Sequence, residues 1–179
     1  MAPNDIKIVI LGQDPYINHE IINDKKIPQA DGFAFSVPKT HKPPPSLKNI
    51  FKEITNSYSD FKYKNGNLKK WVDREKIFLL NSSLTVKPHN SNSHQALWTE
   101  FTNAVIKYIS DVNDKVGFIL MGNFAKSKQS LIDKKHIIVT SVHPSPLSAN
   151  NGFFNSKIFE IINNKLKENT ISEINWNLS

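Results

Sequence analysis

The sequence predicts an α/β fold built on a mostly parallel sheet of four strands. Four apolar runs, rich in β-branched residues, are too short for helices and do not alternate in polarity, which is typical of strands covered on both faces. Helical patterns separate most of these runs, which favours parallel strands joined by right-handed crossovers. With 179 residues, 39% of them hydrophobic, the chain suffices for one good core, and we expect a single domain over residues 1–179.

The four predicted strands lie at 6–11, 77–80, 116–121 and 136–142. The first predicted helix follows a stiff Pro43-Pro44-Pro45 run, and Ser46 is its expected N-cap because apolar residues recur at helical spacing after it. Further helices are expected at 68–75, about 99–111 and about 155–168, with a short helix before the last strand. The helix at about 99–111 is expected to carry Phe101, Val105, Tyr108 and Ile109 on or near its apolar face. A polar segment at 17–31 is long enough to be a functional loop or a mobile insertion.

Polar side chains follow all four strands, at the point where each strand ends: Asp14, Asn81, Asn123 and His143. Carboxyl ends of parallel strands share one edge of the sheet, and in open α/β sheets ligands bind at that edge. Asp14 alone could equally belong to a common Asp-Pro turn. The convergence of four polar residues on one rim favours an active site.

The formal net charge of +7 favours a polyanionic partner, although a lysine-rich surface can also serve solubility alone. Arg74 is the sole arginine, so reading of guanine by paired arginine contacts is not expected to be widespread. The chain has no cysteine, no apolar run of membrane-spanning length and no signal peptide. We therefore expect an intracellular protein, cytoplasmic in a bacterium and nuclear or organellar in a eukaryote.

The candidate residues suit a planar polar heterocycle better than a metal or a phosphate loop. Their spacing matches no common metal site, Gly-rich phosphate loop or Ser-His-Asp pattern. Phe35 can stack on a ring, and Asn81 offers a donor and an acceptor side by side. Leu147, on a rigid turn between Pro146 and Ser148, resembles the apolar wedges that enter a base stack, unless it folds back onto the core.

Five motifs together resemble the family 1 uracil-DNA glycosylases, over about residues 6–176. They are Gly12-Gln13-Asp14-Pro15-Tyr16, Phe35-Ser36, Pro43-Pro44-Pro45-Ser46-Leu47, Leu79-Leu80-Asn81 and His143-Pro144-Ser145-Pro146-Leu147-Ser148. The resemblance implies a three-layer α/β/α fold with a central four-stranded parallel sheet. It also implies hydrolysis of the N-glycosidic bond of deoxyuridine in DNA, with no metal and no cofactor.

The resemblance implies two catalytic residues. Asp14 would position the attacking water and offset positive charge growing on the sugar. His143 would donate a hydrogen bond to uracil O2 as negative charge builds on the leaving base, a gain realised mainly in the transition state.

Four further residues are implied to bind uracil. Asn81 would pair with O4 and N3–H, which would leave cytosine's amine facing a donor. Phe35 would stack on the base, Tyr16 would occupy the space that thymine's 5-methyl group needs, and Gln13 would line the pocket.

The resemblance also implies a set of DNA-contacting residues that grip phosphates around the flipped nucleotide, with Leu147 filling the vacated stack. The set comprises Pro44, Pro45, Ser46, Asn123, Ser145, Pro146 and Leu147. Expected partners are uracil-containing DNA, single- or double-stranded, and a DNA-mimicking protein inhibitor. The chain is expected to be a monomer without membrane contact.

Three departures from the family pattern stand out. Ile17-Asn18 replaces the usual His-Gly and opens a longer loop, and Asn123 stands where serine is common. The family usually has several tens of residues before the first strand, whereas only Met1 to Asp5 precede it here, so the usual N-terminal extension is expected to be lacking. Two rival functions are a DNA-binding scaffold or processivity subunit that keeps the pocket, and a small-molecule nucleotide hydrolase with no use for Leu147.

Overall fold

The computed structural model describes residues 1–179 and contains six strands in two sheets. The strands are β1 (Ile8–Gly12), β2 (His19–Ile22), β3 (Lys25–Pro28), β4 (Ile77–Asn81), β5 (Gly117–Met121) and β6 (Ile137–Ser141). The larger sheet has the order β4-β1-β5-β6, and all three of its pairings are parallel. The predicted four-stranded parallel sheet is therefore confirmed.

The chain also contains five α-helices and three short 3₁₀ segments. The helices are α1 (Pro45–Ser57), α2 (Lys69–Glu75), α3 (Gln95–Val112), α4 (Asn123–Lys126) and α5 (Ile158–Glu168). None of them is both long enough and apolar enough to span a bilayer.

Helices cover both faces of the sheet. In β1, Ile8 and Ile10 belong to a core shared with α1, α2 and α5, whereas Val9 and Leu11 belong to a second core shared with α3 and α4. This alternation follows from the two-residue period of a strand, and it explains why β1 reads as a continuous apolar run. The expected three-layer α/β/α architecture is confirmed.

Three predicted helix starts are wrong, those of α1, α5 and α3. Pro44, not Ser46, is the N-cap of α1, and no side chain caps this end. Pro44 has extended backbone angles and Pro45 fixes the helical φ at the first position, so the proline run itself starts the helix. The helix α5 begins at Ile158 rather than about residue 155, because Asn155 and Lys157 have left-handed φ angles of 64° and 54°.

The third helix, α3, begins at Gln95, about four residues before the predicted start. The residues that it buries also differ from those that apolar spacing predicts. Phe101 and Tyr108 are each 55% exposed, whereas Thr102 and Ile106 are fully buried. Thr102 can face the interior because its hydroxyl donates to the Ser82 carbonyl at 2.7 Å. A satisfied polar residue thus takes a place that apolar periodicity alone would assign to an aromatic one.

The polar segment at 17–31, expected to be a functional loop or a mobile insertion, contains two β-strands. It folds into an antiparallel hairpin of β2 and β3, paired from His19↔Pro28 to Ile22↔Lys25. Asn23 and Asp24, which join the strands, have positive φ angles of 50° and 58°, as two-residue type I′ turns require. The hairpin follows the Asp14 motif directly, so it is placed beside the carboxyl edge of the main sheet.

Candidate active site

The carboxyl ends of the parallel strands open into a cleft of about 1090 Å³. Most of the candidate residues line it: Gln13, Asp14, Tyr16, Phe35, Ser46, Asn81, His143, Ser145 and Leu147. Pro44, Pro45, Asn123 and Pro146 do not. The predicted convergence of Asp14, Asn81 and His143 at one edge is therefore confirmed, while Asn123 lies outside the cleft at the start of α4.

Asp14 is held by a segment far away in the sequence. Its Oδ2 atom accepts hydrogen bonds from the Ser91 hydroxyl and the Asn92 backbone N–H, both at 2.8 Å. The side-chain amide of the adjacent Gln13 donates to Asn92 Oδ1, and the Gln13 carbonyl accepts from the Ser83 N–H at 2.9 Å. The Oδ1 atom of Asp14 accepts no hydrogen bond within the protein, which leaves it available to a bound water or substrate.

His143 is fixed in one tautomer and one position. Its Nδ1 atom accepts from the Ser145 backbone N–H at 3.1 Å, so a neutral ring carries its proton on Nε2. Burial lowers the pKa of His143, which favours that neutral ring. The Asn49 side chain on α1 donates to the Pro144 carbonyl at 2.8 Å and so anchors the turn. Gly122, at φ +87°, permits the close approach, since a Cβ there would lie 2.9 Å from His143 Cβ.

Asn81 presents an unused amide to the cleft. It is the last residue of β4, is 9% exposed, and its side chain makes no hydrogen bond within the protein. Gly12 lies opposite it in β1, and a Cβ at that position would overlap with Asn81 Oδ1 and lie 3.0 Å from Ala34 Cβ. The absence of a side chain at residue 12 therefore makes room for the Asn81 amide.

Phe35 adopts a strained conformation that places its ring in the cleft wall. Its φ angle is +65°, which is uncommon for an aromatic residue, and its ring centroid lies 6.2 Å from that of His143. The Tyr16 hydroxyl donates to the Phe35 carbonyl at 3.0 Å. Burial, and then the charge of Asp31, raise the pKa of Tyr16, so the phenol keeps its proton for this bond. Tyr16 and Phe35 thus form one continuous wall.

Asp31 supports that wall and was not among the sequence candidates. Its carboxylate accepts from the Ser36 hydroxyl at 2.6 Å, from the Asn67 amide at 3.0 Å and from the Phe33 N–H at 3.3 Å. The only sequence signal for this role is the Asp-Gly pair that ends the polar segment. Ser91 and Asn92 were not among the sequence candidates either, because they meet Asp14 only through the tertiary fold.

The expected DNA-contacting residues differ in how exposed they are to solvent. Leu147 is 93% exposed at the cleft and does not fold back onto the core. Ser46 and Ser145 line the same cleft. Pro44 is buried, so any contact that this strip makes with a phosphate must come from the exposed Pro45 and from Ser46.

The cleft offers complementary groups for a planar polar ring. A carboxylate oxygen, a neutral imidazole N–H and a free amide face the same space, beside an aromatic wall. Such a set can stabilise positive charge at one end of a substrate and negative charge at the other. No three His, Asp or Glu side chains come together as a metal-binding group.

Sequence comparisons point to one family. A model described as the Uracil DNA glycosylase superfamily matches residues 1–167. A uracil-DNA glycosylase of Francisella tularensis subsp. novicida is 45% identical over 178 residues, which cover 98% of this chain and 77% of the relative. A uracil-DNA glycosylase of Campylobacter hominis is 48% identical over 182 residues, which cover 100% of this chain and 73% of the relative.

Structural comparisons agree with the sequence comparisons. The crystal structure of mimivirus uracil-DNA glycosylase superposes with a TM-score of 0.91 at 34% identity, over 99% of this chain and 70% of that chain. A variant of the mimivirus protein, crystallised in complex with UGI, gives the same TM-score over 71% of its chain.

The state of His143 can be measured directly. At pH 7 we expect nitrogen-15 NMR to find a neutral ring protonated on Nε2, because burial holds the pKa below the ordinary value of 6.5. The resonance is assigned by its loss in the His143→Gln variant. In the unfolded state the His143 ring has its ordinary pKa, so it binds a second proton more readily there than in the folded state. The free energy of unfolding therefore decreases as pH falls below about 6.5. A pKa at or above 6.5, or a proton on Nδ1, would contradict this.

Proposed function

The chain belongs to the uracil-DNA glycosylase superfamily, and from that premise we propose that it removes uracil from DNA by hydrolysing the N-glycosidic bond of deoxyuridine. The reaction releases uracil and leaves an abasic site, as base-excision repair requires. The observation that carries the proposal is the meeting of Asp14, Asn81 and His143 in one cleft, each with an unused polar atom.

Uracil recognition is assigned to the walls of the cleft. The free amide of Asn81 can accept from N3–H and donate to O4, and cytosine would present the opposite pattern at these atoms. Phe35 stacks on the base. Tyr16, fixed through its bond to the Phe35 carbonyl, fills the space beside C5, and Gln13 completes the pocket wall.

The chemistry divides opposite charges between Asp14 and His143. As the bond between C1′ and N1 breaks, its electron pair leaves with uracil, and His143 Nε2–H donates to O2, where negative charge collects. Positive charge grows on the sugar, and the Asp14 carboxylate stabilises it. A water held on the free Oδ1 bonds to C1′, and its proton passes to the carboxylate.

DNA binding is assigned to the rim of the cleft. Ser46, in the first turn of α1, and Ser145 can donate to phosphates beside the flipped nucleotide, and helix N-termini attract such anions. Asn123, Pro45 and Pro146 extend this contact beyond the cleft. The exposed Leu147 enters the base stack, which offsets an unstacking cost of about a few kcal/mol.

The partners follow from this assignment. The net charge of +7 suits DNA, and the mimivirus structure in complex with UGI supports an inhibitory protein partner. The residues proposed to act on uracil all line a cleft of a single chain, so the proposed reaction needs no second copy. Because the substrate is DNA, we place a bacterial form of the protein in the cytoplasm.

Incubation of the chain with uracil-containing single strands in EDTA, followed by alkali, tests the function. We expect strand breaks confined to uracil positions, because the site needs no metal. Intact strands with retained DNA binding would favour the scaffold.

Unchanged activity of the Leu147→Ala variant on duplex DNA would favour the small-molecule hydrolase, which needs no wedge.

The carboxylate of Asp14 is expected to serve turnover rather than binding. Asp14→Asn should lower kcat about 10²- to 10⁴-fold, because the amide can neither offset the sugar's charge nor take the water's proton. The dissociation constant for uracil-containing DNA should change little, and circular dichroism checks the fold. An equal loss of binding and turnover in a folded variant would contradict the assignment.

Tyr16 is expected to set the rejection of thymine. Tyr16→Ala should release thymine from normal DNA, since it removes the ring beside C5. Tyr16→Phe is the matched control, because it keeps the ring and loses only the hydrogen bond to Phe35. If the alanine variant excises uracil but still spares thymine, another residue guards the pocket.

A further inference from the structure

The β2–β3 hairpin forms part of the cleft wall, and its register decides which side chains face the cleft. Because paired residues in an antiparallel hairpin share a face, His19, Pro28, Ile21 and Lys26 lie on one side. The hairpin residues that line the cleft are His19, Lys26 and Pro28, all from that side. Lys25, from the other side, does not line it.

The cleft-facing side of the hairpin combines an uncompensated cation with an exposed apolar residue. Lys26 is exposed and makes no salt bridge. Its cross-strand partner Ile21 lies on the same side of the hairpin, just beyond the residues that line the cleft, and is 66% exposed. Partial burial, and then Lys26 and His89, lower the pKa of His19. Near neutral pH the positive charge on this side therefore belongs to Lys26.

The hairpin is fixed to the loop that holds Asp14. The His89 backbone N–H donates to the Ile17 carbonyl at 3.1 Å, and the His89 ring lies 3.2 Å from Asn18 Oδ1. The His89 ring also packs edge-on against His19, with 5.6 Å between the ring centroids. Two residues after His89, Ser91 bonds to Asp14. This side of the hairpin is thus positioned relative to the reacting atoms.

The cleft is also larger than one base requires. Its volume of about 1090 Å³ exceeds the range of about 300–1,000 Å³ that encloses drug-sized ligands. A single uracil at Asn81 and His143 leaves space along the hairpin. We propose that the cleft-facing side of the hairpin is an additional DNA-contact surface, on which Lys26 pairs with a backbone phosphate and Ile21 packs against a neighbouring nucleotide.

This inference rests on the proposed function, since it assumes that the polyanion in the cleft is a DNA strand. Its test is the salt dependence of binding to a uracil-containing oligonucleotide, measured by fluorescence titration alongside cleavage. Lys26→Ala should weaken binding about twofold to fivefold and reduce the slope of log K against log salt by about 0.7 on single strands. Lys25→Ala is the matched control, one residue away on the opposite side, and should leave the slope nearly unchanged.

Two further measurements separate the charge contribution of Lys26 from the apolar contribution of Ile21 and from binding of the base. Ile21→Ser should weaken binding without changing the salt slope, because the contact it removes is apolar. Inhibition by free uracil should be the same in all variants, since the base pocket is untouched. Equal slopes for Lys25→Ala and Lys26→Ala would overturn the inference and leave a diffuse charge effect. Failure of the wild-type chain to cleave would count against the proposed function instead, while the binding slopes would still decide the role of the hairpin.

Discussion

The site depends on the common direction of the four strands in the main sheet. β1 lies between β4 and β5 in parallel register, so the residues that follow Leu11, Leu80 and Leu120 emerge at the same edge. Two glycines make this convergence close enough for chemistry. Gly12 leaves room for the Asn81 amide, and Gly122 lets His143 pack against the end of β5. Side chains at these two positions would crowd Asn81 and His143, the groups proposed to act on the base.

The groups that converge are held from outside the sheet. Asp14 is oriented by Ser91 and Asn92, and the turn after His143 is anchored by Asn49 on α1. These contacts leave one polar atom free on each proposed catalytic side chain. Because the two free atoms have opposite character, a carboxylate oxygen and an imidazole N–H, the cleft complements a bond whose breaking separates charge. Preorganisation of this kind needs no rearrangement at the moment of reaction.

Sequence reasoning predicted the parts that depend on local composition. The apolar runs located the strands, and the polar residues at their ends located Asp14, Asn81 and His143. It failed where a long-range contact replaced a local rule. Thr102 occupies the core face of α3 because it bonds to the Ser82 carbonyl, and Phe101 is exposed as a result. The N-cap of α1 was mispredicted for a local reason instead: Pro44 takes the position expected for Ser46, because proline geometry alone starts the helix.

The hairpin and the supports of Asp14 were missed for a related reason. Residues 17–31 have too little apolar periodicity to predict β2 and β3, which are held by their turn and by His89 rather than by a core. Ser91 and Asp14 are 77 residues apart, so no local pattern connects them. Such contacts are set by the tertiary fold, and they shape the cleft around residues that the motifs had already identified.

A crystal structure of the chain with bound uracil would show whether Asn81 and His143 act on the same base. We predict uracil O4 and N3–H within hydrogen-bond distance of the Asn81 amide, O2 within reach of His143 Nε2, and Phe35 stacked on the ring. Uracil bound elsewhere, or touching only one of these two side chains, would rule out their joint action on the base.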